Sequence, residues 1–282
     1  MSEQYKTIKK LDIDKNTIVC YQGVPGAFSE EATVAFFGED IKRVNVKSFE
    51  DVLTTLEEGK ADFGVLPIEN SSAGFVSGSY DLLLNHDVSI VGEKIIDIEQ
   101  CLLALKGATT DDIKTVYSHP QGLLQSRDYL EQYPWQQIAF ANTAMAAKKI
   151  RDDGRKDQAA IAGKRAAALY GLDVLKEKIN YSDENATRFV ILSAKKVFLE
   201  DAKKITICFS LPHKSGTLYG MLGHFIENDL NMTSIESSPR KDSSWEYNFF
   251  ITFDGNLSEE NTKKGLEAIK KDSLDYKLLG NY

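Results

Sequence analysis

The chain runs Phe63-Gly64-Val65-Leu66-Pro67-Ile68 and then breaks at once into Glu69-Asn70-Ser71-Ser72-Ala73-Gly74. Six apolar residues bounded so sharply read as a short strand buried on both faces. Such a strand needs a layer of helices on each side, which points to an open α/β sheet. The polar tail sits where the strand meets its next helix, and ligands of open α/β sheets bind at the carboxyl ends of strands. Asparagine and serine both donate and accept hydrogen bonds without carrying charge. A helix-capping turn would leave the same trace in one such loop. Other amide- and hydroxyl-rich loops at strand ends favour a site.

The surrounding pattern repeats that unit. From Thr17 to about Lys195, short apolar runs alternate with amphipathic stretches. Strands are expected at Ile18–Tyr21, Val44–Val46 and Phe63–Ile68. Ser29 is expected to cap a helix ending at Gly38, and Ser48 one stopping at Gly59. A second set begins near Val88, with strands at Val88–Ile98, Cys101–Leu105, Thr115–Tyr117, Ile138–Phe140 and Ala159–Ala162. Pro120 opens one helix, Asn142 caps another, and the chain returns through Thr187–Ser193. The expectation is a largely parallel sheet in two α/β lobes around a cleft. Lys195–Lys204 is charged and reads as a linker. Beyond it the order becomes βαββαβ, the ferredoxin-like arrangement. Domains are therefore expected at 17–195 and 203–282.

Composition narrows the function. The chain has 282 residues, net charge −8, 42% hydrophobic and 27% charged residues. Its acidity argues against a nucleic-acid partner or an anionic membrane surface. Neither a signal peptide nor an apolar run of ~20 residues is present, so the expected location is cytoplasmic. Cys20, Cys101 and Cys208 stand alone among apolar residues and read as reduced, buried thiols. His86, His119, His213 and His224 lack metal-ligand spacing, so no metal is expected.

Three more polar clusters fall at strand ends: Gly23-Val24-Pro25-Gly26-Ala27-Phe28-Ser29-Glu30, Ser118-His119-Pro120-Gln121 with Gln125 one turn on, and Asn185-Ala186-Thr187-Arg188-Phe189. Together with 67–74 and 142–148 these segments resemble the prephenate dehydratase family in order and spacing. The tail resembles that family's ACT regulatory domain through Gly216-Thr217-Leu218 and the run Asn231 to Ser237. Some relatives carry a chorismate mutase domain at the N-terminus. The head before Thr17 is too short for one, so a single activity is expected.

The resemblance implies a two-lobed, periplasmic-binding-protein-like catalytic region. It also implies conversion of prephenate to phenylpyruvate with loss of water and carbon dioxide, in phenylalanine biosynthesis. Aromatisation drives that reaction, so no cofactor is expected. Thr187 is implied as the residue that protonates or hydrogen-bonds the departing hydroxyl, acting through position in a low-dielectric site. Asn70, Ser71, Ser118, Gln121 and Gln125 are candidates for holding the pyruvyl group and ring substituents. Neutral donors suit this, because an arginine pair on the departing carboxylate would oppose its loss. Gly26, Ala27, Arg188 and Phe189 are further substrate-binding candidates. Arg188 should point away from Thr187 on a regular strand, which favours an ion pair. His119 is expected to brace its loop, and Glu69 to accept backbone hydrogen bonds.

For the tail, the resemblance implies phenylalanine bound at Gly216, Thr217, Leu218 and Asn231, and inhibition through paired ACT domains in a homodimer or homotetramer. Relatives usually have Ala at Thr217 and Arg at Ser238. Arogenate dehydratase, the same elimination on an amino-acid substrate, fits this sequence equally. A non-catalytic two-lobed binding or sensor protein also matches the architecture, though not the Thr187 segment. All catalytic segments precede the charged linker, so residues 1–200 are expected to fold and work alone.

Overall fold

The computed structural model describes residues 5–181, 184–240 and 246–282. Most strands expected from the pattern are present, and they build two main sheets in an α/β fold. A mixed sheet runs in the order 232–239, 247–254, 204–210, 276–281, 89–97, 186–193, 63–70, 18–22, 42–46. A five-stranded sheet has the order 173–176, 101–104, 158–162, 115–118, 136–139. The chain passes from the first lobe to the second through Ile98–Gln100 and comes back through Asn185. These crossings are tied together: Ile98 N donates to Asn185 O at 2.7 Å, and Asn185 Nδ2 donates to Ile98 O at 3.2 Å.

Neither lobe is as parallel as the repeat implies. Strand Ala186–Ser193 runs antiparallel to both Phe63–Asn70 and Ser89–Asp97, because it enters the first lobe from the second. Cys101–Ala104 is likewise antiparallel to both of its neighbours. Phe63–Asn70 runs two residues beyond its apolar part, so Glu69 and Asn70 belong to the strand. Ser29 is not a cap. The helix begins at Phe28 after Ala27, and Glu30 reaches back to accept Gly26 N at 2.7 Å. Ser48 does cap Phe49–Glu57, in a reciprocal capping box with Asp51. The expected linker is partly ordered as strand Val197–Leu199, which pairs with Lys6–Ile8 and buries Phe198. Helix Lys164–Tyr170 and strand Asp173–Lys176 went unforeseen, being short and weakly patterned.

The tail has the βαββαβ order, with four antiparallel strands and helices Thr217–Glu227 and Glu260–Asp272 packed over an apolar core that includes Phe209, Phe225 and Phe253. Its other face joins the first lobe. Cys208, Phe250 and Leu279 share one apolar cluster with Leu66, Tyr80 and Ile90, and the rings of Tyr80 and Phe250 stack at 4.7 Å. Gly280 pairs with Ile90 so closely that a Cβ there would lie 2.2 Å from Ile90 O. Lys277 Nζ donates to the carbonyls of Leu83, Leu84 and His86 at the end of helix Ser79–Asn85. Among the described residues no helix is long and apolar enough to cross a membrane. Burial pushes the Cys20 and Cys208 thiols up to about 12, so neither is a ready nucleophile.

Candidate active site

The antiparallel register sets Thr187 directly opposite Asn70, at the point where the two crossings meet. Asn70 Oδ1 accepts from the backbone N–H groups of Ser72 (3.1 Å) and Ala73 (2.9 Å). Those donors fix the amide's orientation, so its Nδ2 faces Thr187 Oγ1 (2.9 Å), Asn185 Oδ1 (2.9 Å) and Ala186 O (3.0 Å). Since the Thr187 oxygen accepts from Asn70, its own hydrogen is left to donate elsewhere. Ser71 laces the loop to the returning strand: its Oγ donates to Glu184 O and accepts from Ala186 N. Across the lobes, Gln125 Nε2 reaches Ser72 Oγ at 3.3 Å and Asn185 Oδ1 at 3.4 Å. Thr187 is 9% and Gln125 3% exposed, so these neutral dipoles act in a partly dried setting.

Charge is kept to the far side of the strand. Arg188 pairs with Glu69 at 3.2 Å and Glu93 at 2.9 Å, and Lys204 adds a second contact to Glu93. Burial pulls the Arg188 guanidinium downward, but its bonds to Glu93 and Glu69 outweigh this and raise it. Burial would raise the Glu93 carboxyl, yet the bonds from Lys204 and Arg188 hold it below its ordinary value. Arg188 is thus an ion-pair residue, as its strand position required, and does not join the cluster as a substrate contact. Glu69 takes that ion pair in place of the expected backbone bonds.

Other expected site residues lie elsewhere. Phe189 is 3% exposed in the first-lobe core with Val65 and Ile96, which corrects its expected contact with substrate. Ser118 is fully buried and donates to Ile161 O at 2.7 Å, tying the end of strand Thr115–Ser118 to the neighbouring strand Gln158–Ala162. Gln121 lies one turn before Gln125, and among the described residues no hydrogen bond joins it to the cluster. His119 Nδ1 accepts from Gln121 N, so it caps and braces this helix as expected, and desolvation lowers its pKa. Gly26 and Ala27 face the second lobe. At φ +91° a Gly26 Cβ would sit 3.0 Å from Ala166 Cα, and Ala27 packs with Ala162 and Ala166. The glycine's close approach is to a helix of the other lobe, where Glu30 also pairs with Arg165.

Asn185, Ser72 and Gln100 complete the cluster without having been singled out. Asn185 and Ser72 lie inside the polar segments 185–189 and 69–74, so their signal is local. Gln100, between Ile98 and Cys101, gave none.

In the tail, a cavity of about 280 Å³ is lined in part by Leu211, Gly216, Thr217, Leu218, Tyr247 and Phe249. Thr217 Oγ1 donates to Pro212 O and Lys214 O, so its polar branch is occupied within its own loop. Asn231 instead bonds Asp254 at 2.8 Å and is not part of this lining. Ser238 Oγ donates to Asp81 of the first lobe at 2.9 Å.

Known proteins are similar to this chain along most of its length. The family model described as prephenate dehydratase matches residues 19–197. A bifunctional chorismate mutase/prephenate dehydratase from Pseudomonas aeruginosa is 35% identical over 274 residues, covering 96% of this chain and 74% of that one. An Arabidopsis thaliana chloroplastic protein named arogenate dehydratase/prephenate dehydratase 1 is 34% identical over 285 residues, covering 95% and 72%. The solved prephenate dehydratase of Arthrobacter aurescens, in complex with L-Phe, superposes with a TM-score of 0.87 at 28% identity, covering 94% of this chain and 89% of that one.

Proposed function

Because this chain belongs to the prephenate dehydratase family, we propose that it is a hydro-lyase that converts prephenate to phenylpyruvate. In that reaction the ring hydroxyl leaves with a proton as water, and the ring carboxylate leaves as carbon dioxide. The electron pair of the broken carbon–carbon bond completes the aromatic ring. Thr187 passes its hydroxyl proton to the departing oxygen and regains one from solvent when the products leave, and Asn70 holds Thr187 so that this hydrogen points away from the protein's own acceptors. Ser71, Ser72, Asn185 and Gln125 keep both lobes in register around that group, and the cluster's neutral dipoles hold the substrate without gripping the carboxylate that must depart. The single observation that carries the reading is the 2.9 Å bond from Asn70 Nδ2 to Thr187 Oγ1 across the strand pair.

Arogenate is the competing substrate, supported by the name of the Arabidopsis relative. Mixing the purified protein with each compound decides between them: prephenate should yield phenylpyruvate faster than arogenate yields phenylalanine. Formation of neither product would overturn the reading.

We assign catalysis to residues 17–195 and regulation to 203–282. Phenylalanine is the inhibitor, bound at the cavity beside Gly216, Thr217 and Leu218. Support comes from the L-Phe complex of the Arthrobacter relative and from the Gly216 turn, which starts helix Thr217–Glu227. Thr217 N is held by Lys214 O, so the positive end of the helix and the first-turn N–H groups beyond Thr217 are what would meet a carboxylate. The tail also pairs with a second copy. Among the described residues strand Met232–Pro239 ends the sheet with no partner on its outer edge, Ile235 and Tyr247 are exposed on it and on the next strand, and Tyr219 and Ile226 are exposed on helix Thr217–Glu227.

A further inference from the structure

We infer that Gln100 is a positioning residue for this site, acting through Gln125; the inference rests on the reading above. The hydrogen bonds give the cluster a fixed polarity that can be traced from unambiguous backbone groups. Asn185 Nδ2 donates to the carbonyl of Ile98, so Asn185 Oδ1 is the end that faces Asn70 and Gln125. Gln125 must therefore present its NH2 to Asn185 and Ser72, which turns its Oε1 the other way. Gln100 Nε2 meets that oxygen at 3.2 Å and is the donor that holds the amide in this orientation.

Gln100 itself is held in place. Its N–H donates to Asn180 Oδ1, its carbonyl accepts from Ile179 N, and it sits on the crossing between lobes at 3% exposure. Its own Oε1 is buried without a hydrogen-bond partner among the described residues, so its amide has no better use on the other side. Loss of the Gln100 donor frees Gln125 to flip. A flipped Gln125 sets oxygen against Asn185 Oδ1, and the contact between lobes beside Asn70 and Thr187 is lost.

Gln100→Glu tests this, because an ionised carboxylate only accepts, while a protonated one donates again. Burial raises the introduced carboxyl's pKa, placing the change within reach of an activity assay. The expected result is kcat lowered about 3- to 10-fold at high pH, the range of one neutral hydrogen bond, and recovering as pH falls, with no such limb in the wild type. A profile matching the wild type, or a uniform loss with no recovery on acidification, overturns the proposal. Should this variant fail to fold, Gln100→Met carries the test: lowered kcat with an unchanged melting temperature supports it, and unchanged kcat overturns it. A wild-type protein inactive on both substrates would sink the function reading separately. In that event the side-chain amide resonances of Gln125, recorded without substrate, decide this one: they shift in Gln100→Met if Gln100 holds them and stay put if it does not.

Discussion

Asn70→Asp is the sharpest perturbation of the site, because it changes one NH2 group to oxygen and leaves shape almost untouched. The wild-type amide donates toward three acceptors: Thr187 Oγ1, Asn185 Oδ1 and Ala186 O. A carboxylate there opposes oxygen to oxygen at two of them. At the third, it captures the Thr187 hydrogen that otherwise points to substrate. Loss of one preorganised donor to a developing charge typically costs ~10²–10³ in kcat, and the reversed hydroxyl should place this variant at that level. Asn185 Oδ1 keeps Gln125 and Ser72 as donors and Ala186 O keeps Ser71 N, so the stability cost comes from facing a carboxylate at them, about 1–3 kcal/mol, or a melting temperature lower by roughly 3–10 °C. The assay is phenylpyruvate formation at saturating prephenate, with Thr187→Ala and Thr187→Ser alongside. Thr187→Ala should lose ~10²-fold or more, and Thr187→Ser should keep much of the activity because it keeps the hydroxyl. Asn70→Asp within about threefold of wild-type kcat, while Thr187→Ala is inactive, would refute the argument that Asn70 orients Thr187.

Glu93→Gln should lower stability at neutral pH by about 1 kcal/mol, discounted for partial exposure, because both Arg188 and Lys204 lose a charged partner. The folded carboxyl lies below its ordinary value, so this contribution is present above the unfolded pKa and is lost as pH falls through the folded one. Urea titrations should converge for wild type and variant in acid; a gap that widens there would contradict this. Truncation after residue 200 should lower the melting temperature or solubility, contrary to the expectation from the sequence alone, because Phe250 and Leu279 leave the core around Tyr80 and Ile90 uncovered. A truncated protein melting like the full chain would show that the shared cluster adds nothing. Calorimetry should detect phenylalanine binding to the intact chain and weaker binding to Thr217→Trp, which crowds the cavity; no heat at millimolar phenylalanine ends the regulatory reading.

Element types were legible wherever a short apolar run or a capping signal was local. The runs at Phe63 and Cys101, the capping box at Ser48 and the βαββαβ order of the tail all follow from neighbouring residues, and the structure keeps them. Thr187, Asn70 and Gln125 stood out because whole segments resembled a family. Direction and partnership were not local. That Ala186–Ser193 runs against both neighbours depends on the chain leaving the first lobe and returning 88 positions later, from Ile98 to Ala186. Gly26 looked like a ligand loop because glycine permits close approach, but sequence does not say to what, and the second lobe supplied the answer. Phe189 looked like a site residue by adjacency to Thr187, and burial in the sheet decided otherwise. Residue types and spacing determined which neutral hydrogen-bonding groups this protein owns. Only the folded chain decided which way each amide points, because an amide's two ends differ only in the partners that tertiary structure brings to them.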